Sequence, residues 1–581
     1  MPAASPDAPD LPYRTTVQPT GNDVLDGLLR GASGLISLQE RAPTDAEGLV
    51  SRISAEPARL RPALESEGYW AGRVEVVAKS GAAIDAAALA AAPHPVELEI
   101  RAVLGPRYTY RHIQTLGGGP PVAITPGAPA RAVEVIAAQE AAWTAMREDG
   151  RPLARIERAV TVDHGAQAMD ITFTETPGPR ADFAMPAVEG TERVNPEVVR
   201  RVAALRLAER SFTPGRLAAA RGDVSALGPF SSVRIDQGTE LDADGRLPVM
   251  IRVRERPFRA FSISAAYETN YGLALRGSWE HRNLFGGAEN LRLELEASRL
   301  GNELDRMNAR AGVTYRQPLP FGFNGSLVTS LAFVRERLDS YDRDAGIFSM
   351  LYERRLTDRW TVSAGPVGEA GQAAPSGEPL KPYQIAGVTG RFTYDSTDSR
   401  LDPRRGIRAQ GSVTPSYAFS ESSFYVPVKL GASTYFDLSG NGRSILALRG
   451  ALGSLLNATA PDVPPSQRFY AGGGGSIRGY DYQSVGPRDA RGRPAGGASL
   501  IETSVEFRQR FGSSYGAVAF VDAGGVGTSA SAPTDELRVG AGVGARYYTA
   551  IGPIRADVAI PLVRQQGSGS FGFYIGIGHA F

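Results

Sequence analysis

Two patterns of hydrophobic and polar positions divide the chain near residue 257. Residues 12–257 mix apolar residues at helical spacing with short alternating segments, whereas residues 258–581 alternate apolar and polar positions in segment after segment. The first pattern predicts an α+β region and the second an all-β region. The change falls in the stretch RERPFRAF, from Arg254 to Phe261.

The first region repeats one arrangement three times, namely a strand, two helical stretches and two closing strands. The opening strands are TTVQPT, RYTYRHIQTLG and AMPAVEG, and each repeat closes with an alternating pair such as RVEVVAK and VELEIRAVLG. We therefore predict three domains, at residues 12–106, 107–179 and 180–257. Residues 1–11 are rich in Pro and Ala and are predicted to be disordered.

The second region contains about 16 alternating segments, with on the order of 20 residues per strand and connection. In NLRLELEA, apolar Leu291, Leu293 and Leu295 alternate with charged residues. A soluble sheet also has one apolar face, but a charged face on strand after strand favours a barrel in lipid, which is apolar outside and polar inside. We predict a 16-stranded antiparallel transmembrane β-barrel over residues 258–581.

The amino-acid composition limits the classes of function that this chain can have. Lys plus Arg number 63 and Asp plus Glu 62, so the formal charge is +1 and gives no electrostatic reason to expect nucleic acid. The chain has no cysteine, which excludes disulfides and Cys-ligated metals. The five histidines have no metal spacing and no GxSxG motif occurs, so we expect neither an enzyme nor a cofactor. No signal peptide is visible; if the protein is exported, its signal is absent from this sequence.

The stretch RFYAGGGGSIRGYDYQSVGP is glycine-rich but does not fit a phosphate-binding loop, because neither a lysine nor a helix follows it. We predict instead a loop that folds back into the barrel lumen, with the glycines as its hinge. Arg478 would then carry a charge into a confined space and need carboxylate partners. Glu506 and Asp522, on nearby inward faces, are the candidates. The hinge glycines are Gly472, Gly473, Gly474 and Gly475.

The C-terminal segment SFGFYIGIGHAF reads as one alternating strand. The alternation predicts one face with Phe571, Phe573, Ile575, Ile577, His579 and Phe581, and an opposite face with Gly572, Tyr574, Gly576, Gly578 and Ala580. Tyr574, Gly576, His579 and the aromatic Phe581 match the spacing of the targeting signal of bacterial outer-membrane barrels, although His579 departs from the usual hydrophobic residue. The glycines predict weak pairing of this strand.

Four motifs together resemble a known family. IRGY (Ile477, Arg478, Gly479, Tyr480) resembles the (V/I)RG(F/Y) motif in the sixth extracellular loop of the POTRA-plus-barrel insertase superfamily of outer membranes. AFVDAGGVG, DSTDSRLDPRRGIRAQGS and GPIRADVAIPL are similar to its barrel motifs, in the same order. The three α/β repeats resemble POTRA domains, and their number resembles the TamA branch of the superfamily.

The resemblance implies a function. It places the barrel in the outer membrane of a Gram-negative bacterium and the POTRA domains in the periplasm, where they receive unfolded barrel and autotransporter clients and a TamB-like inner-membrane partner. It makes Arg478 the loop arginine, with Asp522 and Glu506 as lumenal partners. It also implies a weak seam between the first strand, near Phe258 to Asn270, and the last. The alternative is a two-partner-secretion pore that exports a soluble partner.

Overall fold

The computed structural model describes residues 10–268, 272–300, 306–531, 537–550, 552–563 and 569–581. The chain divides into two compact units, one of residues 1–185, 207–218 and 237–249 and the other of residues 186–206, 219–236 and 250–581. Among the described residues, no helix is both long and apolar enough to cross a membrane. Residues 1–9, Asn270 at the end of the first predicted barrel strand, and residues 532–536 lie outside the described residues.

The first α/β group is a three-stranded sheet covered by helices. Its sheet order is β1-β3-β2, with β1 parallel and β2 antiparallel to β3. Leu11, which the prediction placed in the disordered segment, is buried in this core, and its N–H donates to the Thr44 carbonyl at 2.7 Å. The elements are β1 (Tyr13–Val17), α1 (Asp23–Ala32), α2 (Gly34–Leu38), α3 (Ala46–Ser66), β2 (Arg73–Ala78), α4 (Ala86–Ala91) and β3 (Val96–Val103).

The second group repeats the same sheet order, β4-β6-β5, with β4 parallel to β6. One continuous helix stands where two helical stretches were predicted, because no helix-breaking residue interrupts the segment that forms it. The elements are β4 (Thr109–Leu116), α5 (Ala132–Glu148), β5 (Arg155–Asp163) and β6 (Ala168–Thr176).

The third group has the order β7-β9-β8, again with its first strand parallel to its last. The Glu255 carboxylate, at the end of β9, accepts hydrogen bonds from the backbone N–H groups of residues 192–194 at 2.8–3.0 Å. The elements are β7 (Ala187–Glu189), α6 (Pro196–Leu207), α7 (Pro214–Ala226), β8 (Phe230–Gln237) and β9 (Val249–Glu255).

The remaining strands form a closed antiparallel barrel. Since β18 and β19 both pair with β17 and β20, they are two parts of one interrupted strand, and the described residues give sixteen barrel strands. The predicted fold class is confirmed. The strands are β10 (Arg259–Glu268), β11 (Gly272–His281), β12 (Asn290–Leu300), β13 (Asn308–Pro318), β14 (Ser326–Arg337), β15 (Tyr341–Arg355), β16 (Trp360–Pro375), β17 (Lys381–Asp395), β18 (Gly406–Val413), β19 (Ser416–Ala418), β20 (Ser423–Asp437), β21 (Ser444–Leu456), β22 (Ser499–Phe511), β23 (Tyr515–Gly527), β24 (Arg538–Thr549), β25 (Gly552–Pro561) and β26 (Gly572–Ile577).

Because side chains alternate along each strand, they point in turn to the outer and the inner face of the barrel. The outer face carries exposed apolar residues such as Leu295, Phe333 and Val543. The inner face carries charges such as Glu506 and Asp557, which are fully buried. This apolar-out and polar-in distribution is the one that a lipid environment requires. We call the end of the barrel at which β10 begins the lower end, and the opposite end the upper end.

Candidate functional site

The connection between β21 and β22, residues 457–498, folds into the upper part of the lumen; we call it loop 6. Its apolar side chains pack in one cluster with inward-facing residues of the barrel wall, including Val334, Ile385 and Tyr425. Since no water reaches this cluster, apolar burial holds the loop inside the barrel. The loop residues in the cluster are Ala458, Val463, Phe469, Ala471, Ile477, Tyr480, Val485 and Ala498.

The four predicted hinge glycines, Gly472 to Gly475, form a hydrogen-bonded turn. The Gly473 N–H donates to the Tyr480 carbonyl at 3.1 Å, and the Gly472 N–H donates to Ser476 Oγ at 2.9 Å. Ser476 Oγ in turn donates to Glu502 on the barrel wall. The glycines therefore make a compact turn that delivers Ile477 and Arg478 to the wall.

Arg478 lies in a fully buried set of charged contacts. Its Nε and Nη2 donate to the two carboxylate oxygens of Asp522 at 2.7 and 2.9 Å, and its Nη1 donates to Glu506 at 3.1 Å. Its backbone N–H also donates to Asp522, at 3.1 Å. The guanidinium carbon lies 3.3 Å from the ring centroid of Phe520. The structure thus brings Arg478 together with both carboxylates named from the sequence.

The charge network extends beyond these three residues. Arg478 Nη1 contacts Asp557 at 3.4 Å, and Arg546 donates to the same carboxylate. Arg508 Nε donates to Glu506 at 2.7 Å. Asp557 was missed as a partner of Arg478, although in GPIRADVAIPL it alternates with apolar residues. Each buried charge has an opposite charge in contact, which offsets the cost of removing it from water.

Gly479 and Tyr480 attach the loop to the strands around the end of the chain. The Gly479 N–H donates to the Tyr574 hydroxyl at 2.9 Å, and the Tyr480 hydroxyl donates to the Val563 carbonyl at 2.6 Å. Gly479 has φ +100°, and a Cβ there would lie 2.7 Å from the backbone carbon of Ile560. Only glycine fits this position. The IRGY segment therefore contacts β26, the strand that closes the barrel.

The barrel closes through a short pairing between β10 and β26. In the described residues the register runs from Tyr267–Ile575 to Glu268–Tyr574, whereas β10 pairs with β11 from Arg259–His281 to Glu268–Gly272. Fewer ladder positions mean fewer backbone hydrogen bonds across this junction than across its neighbours. We call the β10–β26 junction the seam.

These features coincide with a family match. The family model "Omp85 superfamily domain" matches residues 283–581, which is just over half of the chain. The chain belongs to the Omp85 superfamily.

Curated relatives agree with this assignment. The Omp85 chain is 25% identical over 452 residues to "Outer membrane protein assembly factor BamA" of Nitratidesulfovibrio vulgaris, covering 70% of this chain and 52% of that protein. It is 25% identical over 413 residues to the BamA of Neorickettsia risticii, covering 65% and 52%. The chain thus spans about half the length of these curated relatives.

Solved structures share the fold. BamA from Haemophilus ducreyi lacking POTRA domains 1–3 matches with a TM-score of 0.61 at 16% identity, covering 81% of this Omp85 chain and 100% of that one. CdiB from Acinetobacter baumannii matches with a TM-score of 0.52 at 13% identity, covering 82% and 90%. At these identities the likeness extends to the fold alone.

Loop 6 of this Omp85 chain has a second attachment that the sequence did not reveal. Glu369 on β16 accepts hydrogen bonds from Gln467 Nε2 at 3.0 Å and Arg343 Nη1 at 2.7 Å, and also from the Tyr383 hydroxyl. Gln483 of the loop accepts from Ser340 Oγ at 2.5 Å. The loop is therefore held at two walls, by Arg478 on β22, β23 and β25 and by Glu369 on β16.

The C-terminal tail of the Omp85 barrel departs from the predicted alternation. Ile575 and Ile577 share one face as predicted, and that face is the outer one, but His579 and Phe581, predicted on the same face, lie inside the barrel. His579 Nε2 is 3.2 Å from Asp402 Oδ1, and Phe581 packs with the buried cluster that contains Tyr435. The physical reason is Gly578, whose φ of +95° ends the strand and turns the last residues inward.

This tail also explains the motif DSTDSRLDPRRG, which forms the lower turn at residues 396–405. Asp398 accepts backbone hydrogen bonds from Arg404 at 2.9 Å and Arg405 at 3.2 Å, which shapes the turn. Asp402 projects from it to His579 and to Arg510 Nη2 at 2.9 Å. Burial raises the pKa of Asp402, but the hydrogen bond from His579 and the positive charges around it outweigh burial and hold that pKa well below its ordinary range.

Proposed function

We propose that this chain is an outer-membrane assembly factor of the TamA type, which inserts autotransporters and other β-barrel proteins through its seam. The barrel would lie in the outer membrane of a Gram-negative bacterium. The three α/β groups, as POTRA domains at residues 12–106, 107–179 and 180–257, would lie in the periplasm. Superfamily membership and similarity to proteins named outer membrane protein assembly factors support this proposal.

The observation that carries the proposal is the seam. Within the described residues the last strand pairs with β10 at two positions, Ile575 and Tyr574, and the strand itself carries two glycines, Gly572 and Gly576. On the other side of the junction, Phe261 and Ile263 of β10 are strongly exposed. A strand edge that is weakly paired can accept another strand by β-augmentation. Client folding and burial in lipid would supply the free energy, so no nucleotide is required.

A test is to lock the seam with a disulfide in this cysteine-free chain. Tyr267 and Ile575 face each other in the register, and directly opposite residues are close enough for a disulfide. We expect Tyr267→Cys with Ile575→Cys, once oxidised in cells, to stop surface display of an autotransporter client, and reduction to restore it.

The matched control joins the same last strand to its other neighbour. Ile554 and Ile577 face each other across β25 and β26, and both are exposed on the outer face. Oxidised Ile554→Cys with Ile577→Cys should leave display intact, since the seam stays free. Normal display by the seam-locked protein would reject lateral opening.

We also propose that the α/β groups bind a TamB-like partner. We expect the α/β groups to retain an inner-membrane-anchored TamB-like protein in chemical cross-linking from intact cells. Recovery of other assembly factors instead, with no such protein, would favour a BamA-type function over a TamA-type one.

Export of a soluble partner through the lumen is the second candidate, because the fold also matches CdiB. Loop 6 fills the upper lumen, so export would require the loop to leave it. A short bis-maleimide joining Ser340→Cys to Gln483→Cys would hold the loop in place. Loss of function with this cross-link, together with normal function of the seam-locked protein, would favour export.

A further inference from the structure

Below loop 6 the lumen contains a cavity of about 1120 Å³ with a marked excess of positive charge. Among the described residues, two acidic side chains line it, Glu369 and Glu502. Both carboxylates already form ion pairs, Glu369 with Arg343 at 2.7 Å and Glu502 with Arg449 at 3.0 Å. The cationic residues lining the cavity are Arg310, Arg391, Arg408, Lys429, Arg449 and Arg468.

Two of these cations, Arg391 and Lys429, lie on the same face of the barrel wall with one strand between them. In the register Arg391 pairs with Ser412, and Ser412 pairs with Lys429, so the three residues occupy neighbouring strands. Their outer two backbones are therefore about 10 Å apart. Arg391 and Lys429 are both exposed, and within the described part of the chain neither forms an ion pair. We call Arg391, Ser412 and Lys429 the basic row.

Loop 6 forms the roof of the basic row. The Lys429 ammonium lies 5.6 Å from the ring centroid of Phe469, and that ring packs on Gly453, where a Cβ would be 2.3 Å from it. The row is thus enclosed by a low-dielectric wall on one side and an aromatic ring on another. Such an enclosure focuses the positive potential into the cavity.

We propose that the basic row is a binding site for carboxylate groups of a polypeptide segment inside the lumen. The guanidinium of Arg391, the hydroxyl of Ser412 and the ammonium of Lys429 all donate hydrogen bonds, and a carboxylate offers only acceptors. Charge-assisted hydrogen bonds from two cations would be the strongest contacts available to such a group in this cavity.

The surroundings favour a polypeptide over a lipid headgroup. The wall that carries the basic row is paired from β16 to β21, and hydrogen bonds from the Val388 N–H to the Pro415 carbonyl and from the Thr414 N–H to the Pro427 carbonyl bridge the interruption between β18 and β19. A headgroup therefore has no opening from the bilayer there. By strand order the row lies halfway around the barrel from the seam. An extended chain can instead enter along the lumen, and the cavity is far larger than an inorganic ion. The inference goes beyond the seam, since it assigns a role to the opposite wall.

The test measures binding by the purified full chain in an uncharged detergent. The probe is a fluorescein-labelled peptide of alternating Asp and Ser, followed by anisotropy, with an Asn–Ser peptide as the neutral control. We expect Lys429→Gln and Arg391→Gln each to weaken binding about tenfold, the effect of losing a charged hydrogen bond. Lys381→Gln is the matched control, because Lys381 is exposed at the end of the same strand as Arg391.

Ser412→Asp is a second variant that keeps the test decisive if Lys429→Gln does not fold. Its carboxylate would lie between the two cations and should abolish peptide binding while leaving the fold intact. Equal binding by all variants would overturn the proposal. Displacement of the peptide by equimolar phosphatidylglycerol would overturn the choice of polypeptide as ligand. The seam-locked protein should bind the peptide normally, so failure here and failure of seam-dependent insertion are separate results.

Discussion

At the scale of single residues, buried charges decide what the barrel tolerates. Arg478 is only 2% exposed, and it holds Asp522 and Glu506, which are fully buried. Removing one member of such a set leaves the others charged in a region that water does not reach. Burial of a charge therefore makes the identity of a single side chain critical, in contrast to the exposed arginines of the same barrel.

We expect Arg478→Gln to destabilise the folded barrel by about 3–5 kcal/mol, because Asp522 loses its cationic partner and Glu506 keeps only Arg508 at hydrogen-bond distance. Arg478→Lys should destabilise the barrel less than Arg478→Gln, because the positive charge remains. It should still destabilise the barrel, because a lysine cannot make the two-pronged contact with Asp522. The measurement is the temperature at which heat-modifiable gel migration of the detergent-solubilised chain changes. Arg400→Gln, at an exposed arginine, is the control and should melt like the parent. Equal melting of Arg478→Gln and the parent would contradict the assigned role.

A second buried charge lies in the second α/β group. Glu175 is 4% exposed, and among the described residues its carboxylate has no cationic partner and no well-formed hydrogen bond; the Gly119 N–H is only a weak donor nearby. Burial raises the pKa of Glu175, against a smaller lowering by the Gly119 N–H. Because the folded-state pKa is raised, the group costs nothing below its unfolded value of about 4.3, and its cost grows as the pH rises above it.

We therefore expect Glu175→Gln to raise stability at pH 7 and to leave stability near pH 4 unchanged. The measurement is urea unfolding of the full chain in detergent, followed by tryptophan fluorescence at both pH values. Glu157→Gln, at an exposed position on the neighbouring strand β5, is the control. A variant less stable than the parent at pH 7 would show that Glu175 has a stabilising partner.

At the scale of elements, the structure is governed by how loop 6 and the C-terminal tail attach to the wall. Alternation predicted inward positions for Glu506 on β22 and Asp522 on β23, and both side chains are buried inside the barrel. It carries no information about which strand a loop residue will meet. Glu369 therefore escaped notice, because it lies 98 residues from Gln467 in the chain.

Glu369→Gln should loosen residues 463–470 of loop 6 while Arg478 stays in its ion pairs. A neutral amide keeps the shape but cannot accept from Arg343 and Gln467 as strongly, since hydrogen bonds to charged groups contribute about 1.5–3 kcal/mol each. Hydrogen exchange should accelerate in residues 463–470 and stay unchanged in residues 476–480. Glu421→Gln, at an exposed upper turn, is the control. Faster exchange throughout the loop would mean that its two attachments are not independent.

The retention of the C-terminal tail inside the barrel should depend on the negative charge of Asp402. The folded-state pKa of Asp402 is depressed, so its stabilising contribution is present above its unfolded value of about 3.9 and is lost as the pH falls below it. We expect Asp402→Asn to increase labelling of Ala580→Cys by an impermeant maleimide across the neutral range. Rates are normalised to an exposed Ser513→Cys in a lower turn. Unchanged labelling would show that Phe581 packing alone retains the tail.

At the scale of the whole molecule, parts of the third α/β group, residues 186–206, 219–236 and 250–257, belong to the same compact unit as the barrel. Asn283, in the turn between β11 and β12, donates to the Arg193 carbonyl at 3.1 Å. The Asn195 N–H donates to the Gly286 carbonyl at 2.7 Å. These contacts attach residues 193–195 to the lower turn between β11 and β12.

We expect Asn283→Ala to loosen this junction, at a cost of about 1–3 kcal/mol, because the Arg193 carbonyl loses its donor and the buried Ala288 N–H loses its acceptor. Spin labels on Arg200→Cys and Ser513→Cys should show a broader distance distribution than in the parent. Asn441→Ala is the control, since Asn441 bonds only within its own lower turn in the described residues. An unchanged distribution would show that the remaining contacts suffice.

The amino-acid sequence by itself determined the α+β repeats, the sixteen-strand barrel with its inward and outward faces, and the superfamily. These depend on local periodicity and on short motifs, which each strand carries alone. Only the tertiary structure decided the partners across the lumen, namely Asp557 with Arg478, Glu369 with loop 6, and Phe581 inside the barrel. Barrel closure sets strands far apart in the chain against the same loop, and the turn at Gly578 brings His579 and Phe581 inside the barrel.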